Sequence, residues 1–225
     1  MIEINDLKDI AILVDFDGTI TTEDTNDVLE NKYASEKVKE LGKLYDRGEI
    51  DLINLFNSLF SEIKLTEEEY IDFIVNGFQL TDGFIDFYNN VKSHNIEFAI
   101  VSGGFDNGIK SILNKYGIED ATILANHLKF NGRDITIQFH DGDDLNCCEY
   151  GPCGNCKLRH YRRYKDKYKK VIFIGDGNTD KKVANIADVV FAKDSLLKYC
   201  ISNGIEHIPW KDFNDINKRI FEVKS

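Results

Sequence analysis

The sequence predicts an α/β protein, a parallel sheet wrapped by helices, with a helical domain inserted after the first strand and a small β-hairpin farther along. Three observations carry this. Short apolar, β-branched runs recur at residues 11–14, 98–101, 122–124, 171–174 and 189–191, with helix-period segments between most of them; such alternation builds a parallel sheet through right-handed crossovers. The gap after the first run is too long for one crossover, because roughly 75 residues part Thr19 from Glu97 where a βαβ unit takes about 30. Finally, Asn131-Gly132 separates Leu128-Lys129-Phe130 from the alternating Ile135-Thr136-Ile137-Gln138-Phe139, a hairpin pattern.

Taken in order, the first strand runs into Asp15-Phe16-Asp17-Gly18-Thr19, where Gly18 lets the chain turn. The insert carries apolar residues at three-to-four spacing over residues 25–44, 51–62 and 67–76, which predicts three helices. Thr66-Glu67-Glu68-Glu69 reads as a capping box and Asp82-Gly83 as the return to the sheet. The expected division is therefore a core of residues 1–20 and 82–225 and a helical cap of residues 21–81. Lys157 opens a further helix in which Leu158, Tyr161, Tyr164 and Tyr168 share a face, which leaves its many lysines and arginines to solvent. Ile208-Pro209-Trp210 reads as a last edge strand before a helix, with Trp210 in packing.

A chain of 225 residues can hold one α/β domain and a smaller second one. Its 39 acidic and 28 basic side chains give a formal charge of −11, which opposes binding to nucleic acid or an anionic membrane. The expected partner is a small molecule, and nothing in the sequence sets the oligomeric state. No apolar run is long enough to span a bilayer, and the acidic start lacks the pattern of a signal peptide, so the expected compartment is the cytoplasm.

The chemistry gathers at strand ends, where open α/β sheets bind ligands. Asp15 and Asp17 leave the first strand two residues apart, a spacing that lets carboxylates share a metal. Ser102-Gly103-Gly104 follows the second strand and offers a hydroxyl and exposed amides to a phosphate. Lys157 adds a cation, and Gly175-Asp176-Gly177-Asn178-Thr179-Asp180 adds two more carboxylates after the run at 171–174. Acid pair, hydroxyl, lysine and acid pair at successive strand ends form one constellation rather than four coincidences.

That order resembles the four motifs of the haloacid dehalogenase superfamily of magnesium phosphatases, and the insert resembles its helical C1 cap on a Rossmann-like core. The resemblance implies that Asp15 is the nucleophile, forming an aspartyl-phosphate, and that Asp17 is the acid and then the base. It implies that Ser102, with Gly103 and Gly104, and Lys157 hold the phosphoryl oxygens. Mg²⁺ is expected on Asp15, Asp176 and the main-chain oxygen of Asp17, supported by Asp180. An all-oxygen donor set suits that ion on its own chemistry.

Two groups within the superfamily fit. Residues 101–106 resemble phosphoserine phosphatases; the cysteine-rich stretch before Lys157 resembles the hydroxy-keto-methylthiopentenyl phosphate phosphatases of methionine salvage. A phosphoserine enzyme is expected to use a cap arginine for the substrate carboxylate and an acid, here Asp24, for its amino group. No arginine lies between Gly48 and Lys92, and lysine is a poor substitute for a bidentate fork, so the methionine-salvage substrate is favoured. Leu55, Phe56, Leu59 and Phe60 either meet an alkylthio tail, with Phe56 and Phe60 the specificity candidates, or form the cap's own core. Cys147, Cys148, Cys153 and Cys156 fit a structural zinc site, with His140 or His160 as substitute ligands; a redox switch and inert reduced thiols are the other readings. His127 and His207 show no partner pattern. The reading from a different class is a non-catalytic binding protein that uses the cysteine cluster.

Overall fold

The structure, a computed structural model, describes residues 9–142 and 152–222. Its strands are β1 (Ile10–Val14), β2 (Glu97–Phe105), β3 (Thr122–Asn131), β4 (Asp134–Gln138), β5 (Lys170–Gly175), β6 (Val189–Ala192) and β7 (Ile208–Pro209). They form one sheet in the order β4-β3-β2-β1-β5-β6-β7. Strand β1 lies parallel to β2 and β5, and Val14 stands opposite both Ile100 and Ile174, so the carboxyl ends of these strands share one edge. All five β1 residues are buried, the reason its sequence is an unbroken apolar run. Only β3 and β4 pair antiparallel among the registers described.

The helices are α1 (Thr25–Tyr33), α2 (Glu36–Asp46), α3 (Leu52–Glu62), α4 (Glu67–Gly77), α5 (Phe84–Ser93), α6 (Asp106–Lys115), α7 (Lys157–Lys165), α8 (Lys181–Ala184), α9 (Asp194–Asn203) and α10 (Phe213–Ile220). The described residues form two compact units. Residues 9–22, 79–101 and 157–222 make the first; residues 23–78, 102–142 and 152–156 make the second.

In the first unit α10 docks on α5 through aromatic contacts, Phe213 lying 5.0 Å from Phe84 and 5.1 Å from Phe87. Trp210 packs on Phe213 at 5.3 Å, as the sequence predicts. The chain leaves and re-enters this unit side by side: Thr21 and Leu80 form an antiparallel bridge, and Thr81 donates from its N–H to the Ile20 carbonyl at 2.7 Å. Gly83, at φ +80°, then starts α5.

In the second unit α4 packs on α6 and α3 on β4. The hairpin tip grips the α3–α4 connection from outside: Arg133 donates to the Lys64 carbonyl at 2.7 Å and to Glu69 at 2.6 Å, and Lys64 pairs with Asp134 at 2.8 Å. These are exposed polar ties and cheap to break.

Three elements differ from expectation. The helix predicted over 25–44 is broken at Ala34-Ser35 because Ser35 caps α2, and Glu62 holds the Ser35 N–H and hydroxyl at 2.9 Å each. Strand β2 does not stop at Val101 but runs through Ser102-Gly103-Gly104 to Phe105, its Ser102 and Gly103 carbonyls taken by side-chain amides. The hairpin turn is Gly132-Arg133, with Asn131 and Asp134 the last pair and Gly132 at φ +62°. Among the described residues no helix is long and apolar enough to cross a membrane.

Candidate active site

The β1 ladder carries on to Asp15, whose N–H donates to the Ile174 carbonyl at 2.9 Å. Beyond it residues 16–20 form a short wide turn in which Gly18 takes φ +71°. A Cβ on Gly18 would come within 2.6 Å of Asp176 Oδ2, so glycine is required there both by backbone angle and by the acid beside it. Thr19 completes the link, its hydroxyl donating to Asp176 Oδ1 at 2.7 Å.

Lys157, at the start of α7, is 5 % exposed and reaches Asp15 Oδ1 at 2.6 Å and Asp180 Oδ1 at 2.7 Å. The other Asp180 oxygen accepts the N–H groups of Asp176 and Gly177, 3.0 Å each. Asp180 is therefore fully engaged in building the loop. Asp15, Asp176 and Asp180 offer oxygens within 4.8 Å of one another, the one metal-capable group of this kind among the described residues. Burial first, then the Asp180 charge, hold Asp15 well above the usual carboxylate range, with Lys157 pulling the other way. The same two causes push Asp176 up to about 6. Burial pulls Lys157 down, but Asp15 and Asp180 outweigh it and its pKa stays raised. Lys157 and the nearby Lys193 thus face three carboxylates, and a hard divalent cation on oxygen ligands fits the remaining excess.

The sign of the resulting pH dependence follows. Asp176 is raised from the ordinary value of about 4 to about 6, so between those values the folded state holds a proton that the unfolded state has lost. The metal-free protein is expected to lose stability as pH rises through that window. Protons and metal compete for the same oxygens, so the rise in Tm on adding Mg²⁺ should grow from pH 5 to pH 7. An equal rise at both values would count against Asp176 as a ligand.

The other expected residues fall as follows. Asp17 is half-buried in the turn after Asp15. Ser102 is fully buried, and its Oγ accepts the Gly104 N–H at 2.8 Å. Ser102 comes two residues after Ile100, as Asp176 comes two after Ile174 and Phe16 two after Val14, by the strand register. Asp24 caps α1, its Oδ1 accepting the N–H groups of Asn26 and Asp27. Phe56 and Phe60 are buried on Phe105, at 5.3 and 4.8 Å, in the interior of the second unit. Leu52 is instead the α3 side chain that reaches Gly103, 3.6 Å from where a Cβ would stand. Cys147 and Cys148 lie outside the described residues. Cys153 is half-buried and Cys156 fully buried, His160 is buried and His140 exposed, and no cysteine or histidine joins a metal-capable group among the described residues. His127 does have a partner, Asp106, at 2.6 Å, and His207 lies 2.8 Å from the Ile205 carbonyl.

Three neighbours of the acids went unread in the sequence. Ser195 and the Leu196 N–H hold the Asp176 carbonyl at 3.1 and 2.7 Å. Lys193 lies 4.5 Å over the Trp210 ring; its burial lowers its pKa, against the pull of Asp176, Asp194 and Asp15. The signal was available: Lys193 follows the β6 run as Asp176 follows that of β5.

Comparison with known proteins identifies the family. Residues 12–185 match the haloacid dehalogenase-like hydrolase family. A Bacillus velezensis protein named 2-hydroxy-3-keto-5-methylthiopentenyl-1-phosphate phosphatase is 34 % identical over 216 residues, covering 94 % of this chain and 90 % of that one. An Exiguobacterium protein of the same name is 31 % identical, covering 92 % and 94 %. Among solved structures, a phospho-aspartyl intermediate analogue of phosphoserine phosphatase superposes with a TM-score of 0.68 at 22 % identity, covering 95 % of this chain and 99 % of that one, a likeness of fold. The chain belongs to the haloacid dehalogenase-like hydrolases and is a phosphatase.

Proposed function

We propose that this phosphatase hydrolyses 2-hydroxy-3-keto-5-methylthiopentenyl-1-phosphate, or a sugar-like phosphate close to it, with Mg²⁺ and through a phosphorylated Asp15. The observation that carries the mechanism is the buried Lys157 ammonium shared by Asp15 and Asp180 at the carboxyl ends of β1 and β5. The Asp15 carboxylate attacks phosphorus, the ester P–O bond breaks, and Asp17 gives its proton to the leaving oxygen. Asp17 then takes a proton from water, the water oxygen attacks the same phosphorus, and phosphate leaves with Asp15 restored. Lys157, Ser102 and the Gly103 amide hold the phosphoryl oxygens where charge develops, with the Gly104 N–H, expected there too, setting the Ser102 hydroxyl instead. Asp15, Asp176 and the Asp17 carbonyl would hold Mg²⁺, with Asp180 shaping the loop behind them. When bound, the ion neutralises phosphoryl charge.

The substrate rests on two supports: the relatives' names, and the lack of an arginine from Gly48 to Lys92. Arg47, just outside that span, pairs with Glu49 at 2.7 Å. Leu52, rather than Phe56 or Phe60, is the apolar contact proposed for the alkylthio tail. Assay of the enol phosphate against phosphoserine tests this reading, and much faster hydrolysis of phosphoserine would reject it.

Residues 21–81 act in this reading as a cap that closes over the bound phosphate and excludes water. Hydrogen exchange at residues 21–24 and 81–83 is expected to slow when fluoroberyllate binds with Mg²⁺. Unchanged exchange there would argue against closure. The cytoplasm is the compartment proposed.

A further inference from the structure

The cysteine-rich segment before Lys157 holds a residue of another kind between Cys153 and Cys156. Asn155, 4 % exposed, donates through Nδ2 to the carbonyls of Ser102 and Leu124, at 2.7 Å each. Asn126, fully buried on β3, donates to the Gly103 carbonyl at 2.7 Å while its Oδ1 accepts the His140 N–H at 3.0 Å. Two side-chain amides therefore occupy consecutive carbonyls. A trans peptide is planar and holds its C=O and the following N–H in opposite directions. Fixing the Ser102 carbonyl thus fixes the aim of the Gly103 N–H; fixing the Gly103 carbonyl fixes that of Gly104, whose N–H sets the Ser102 hydroxyl at 2.8 Å.

We propose that Asn155 is a positioning residue for the phosphoryl-binding segment Ser102-Gly103-Gly104, with Asn126 as the second brace. Glycine offers no side chain to hold such a segment in one conformation, so its carbonyls must do so. Buried carbonyls also need donors, and a primary amide can supply two from one nitrogen. The proposal rests on the phosphatase reading above.

The test uses the full chain with Mg²⁺, inorganic phosphate as the binding probe and a phosphate ester as substrate. Asn155→Ala is expected to raise the phosphate Kd and the KM by about 10- to 100-fold, the range seen when the residues behind a binding group are removed. Mg²⁺ affinity should change far less, because Asn155 is not one of the acids that form the metal-capable group. Asn155→Asp keeps the shape but puts an acceptor against two carbonyls, and should be at least as impaired at neutral pH. If the alanine variant fails to fold, the isosteric Asn155→Asp and the independent Asn126→Ala carry the measurement. An unchanged phosphate Kd in the folded variants would overturn the proposal. A wild-type protein that neither binds phosphate nor cleaves esters would instead overturn the phosphatase reading beneath it.

Discussion

Asp15→Asn is expected to leave a folded protein that no longer turns over phosphate esters, with kcat down by on the order of 10⁴- to 10⁶-fold, as when other covalent nucleophiles are removed. An amide has nearly the shape of the carboxylate but neither attacks phosphorus nor leaves it again. The stability effect runs the other way. Asp15 is a buried carboxylate held well above its usual pKa by burial and by Asp180, so its charge is costly when no metal is bound. The substitution removes that charge and leaves Lys157 its second partner, Asp180, at 2.7 Å. In chelator at neutral pH its Tm should therefore equal or exceed that of the wild type. Turnover within about 100-fold of wild type would sink the nucleophile assignment, whereas a large fall in Tm would mean that Asp15 holds the fold together.

How much of this could be read in the sequence depended on whether the cause was local. All five apolar runs became strands; in β1, β2 and β5 the cause is burial on both faces, which demands unbroken apolar stretches, whereas residues 122–124 of β3 are exposed or half-buried. The Thr66–Glu69 capping box formed as its spacing required. Asp15, Asp176 and Asp180 were legible because strand ends in a parallel sheet deliver their next residues to one edge, whereas Lys157 opens a helix and was legible only from its place in the motif order. The break at Ser35 was not, since half of its cause is Glu62, 27 residues on. Asp24 shows the converse: read as a ligand, it satisfies the first amides of α1, the common local task of an aspartate before a helix.

Asn126 and Asn155 were the least legible. Asn126 lies in no motif, and Asn155 stands between Cys153 and Cys156, where an asparagine after a glycine ordinarily signals a turn. Their role exists only because β2 keeps its extended path through Gly103-Gly104 and presents carbonyls that β3 and the segment before α7 must satisfy. Leu52 was passed over for Phe56 and Phe60 on a related ground. Helical spacing separates a buried face from an open one, but it does not say which edge of that face reaches a loop 50 residues away.

Lys157→Met should have the largest effect on stability of any single change at the site. The methionine keeps an apolar stem of similar length and removes only the ammonium, leaving Asp15 and Asp180 buried without the cation between them. Breaking a buried pair in this way costs about 3–5 kcal/mol, far more than the pair itself adds over an apolar replacement. The loss should be fullest near neutral pH and shrink as pH falls, because Asp15, already raised, goes higher without Lys157 and takes up a proton. Adding Asp15→Asn to Lys157→Met should restore part of the lost stability, and a double-mutant cycle gives the coupling. Urea denaturation in chelator at two pH values measures all of these. A Lys157→Met protein within about 1 kcal/mol of wild type at neutral pH would show the acids to be solvated rather than held by the lysine. Added Mg²⁺ should recover some stability of the variant but not its phosphate binding, since the missing charge is the one proposed to hold the phosphoryl oxygens.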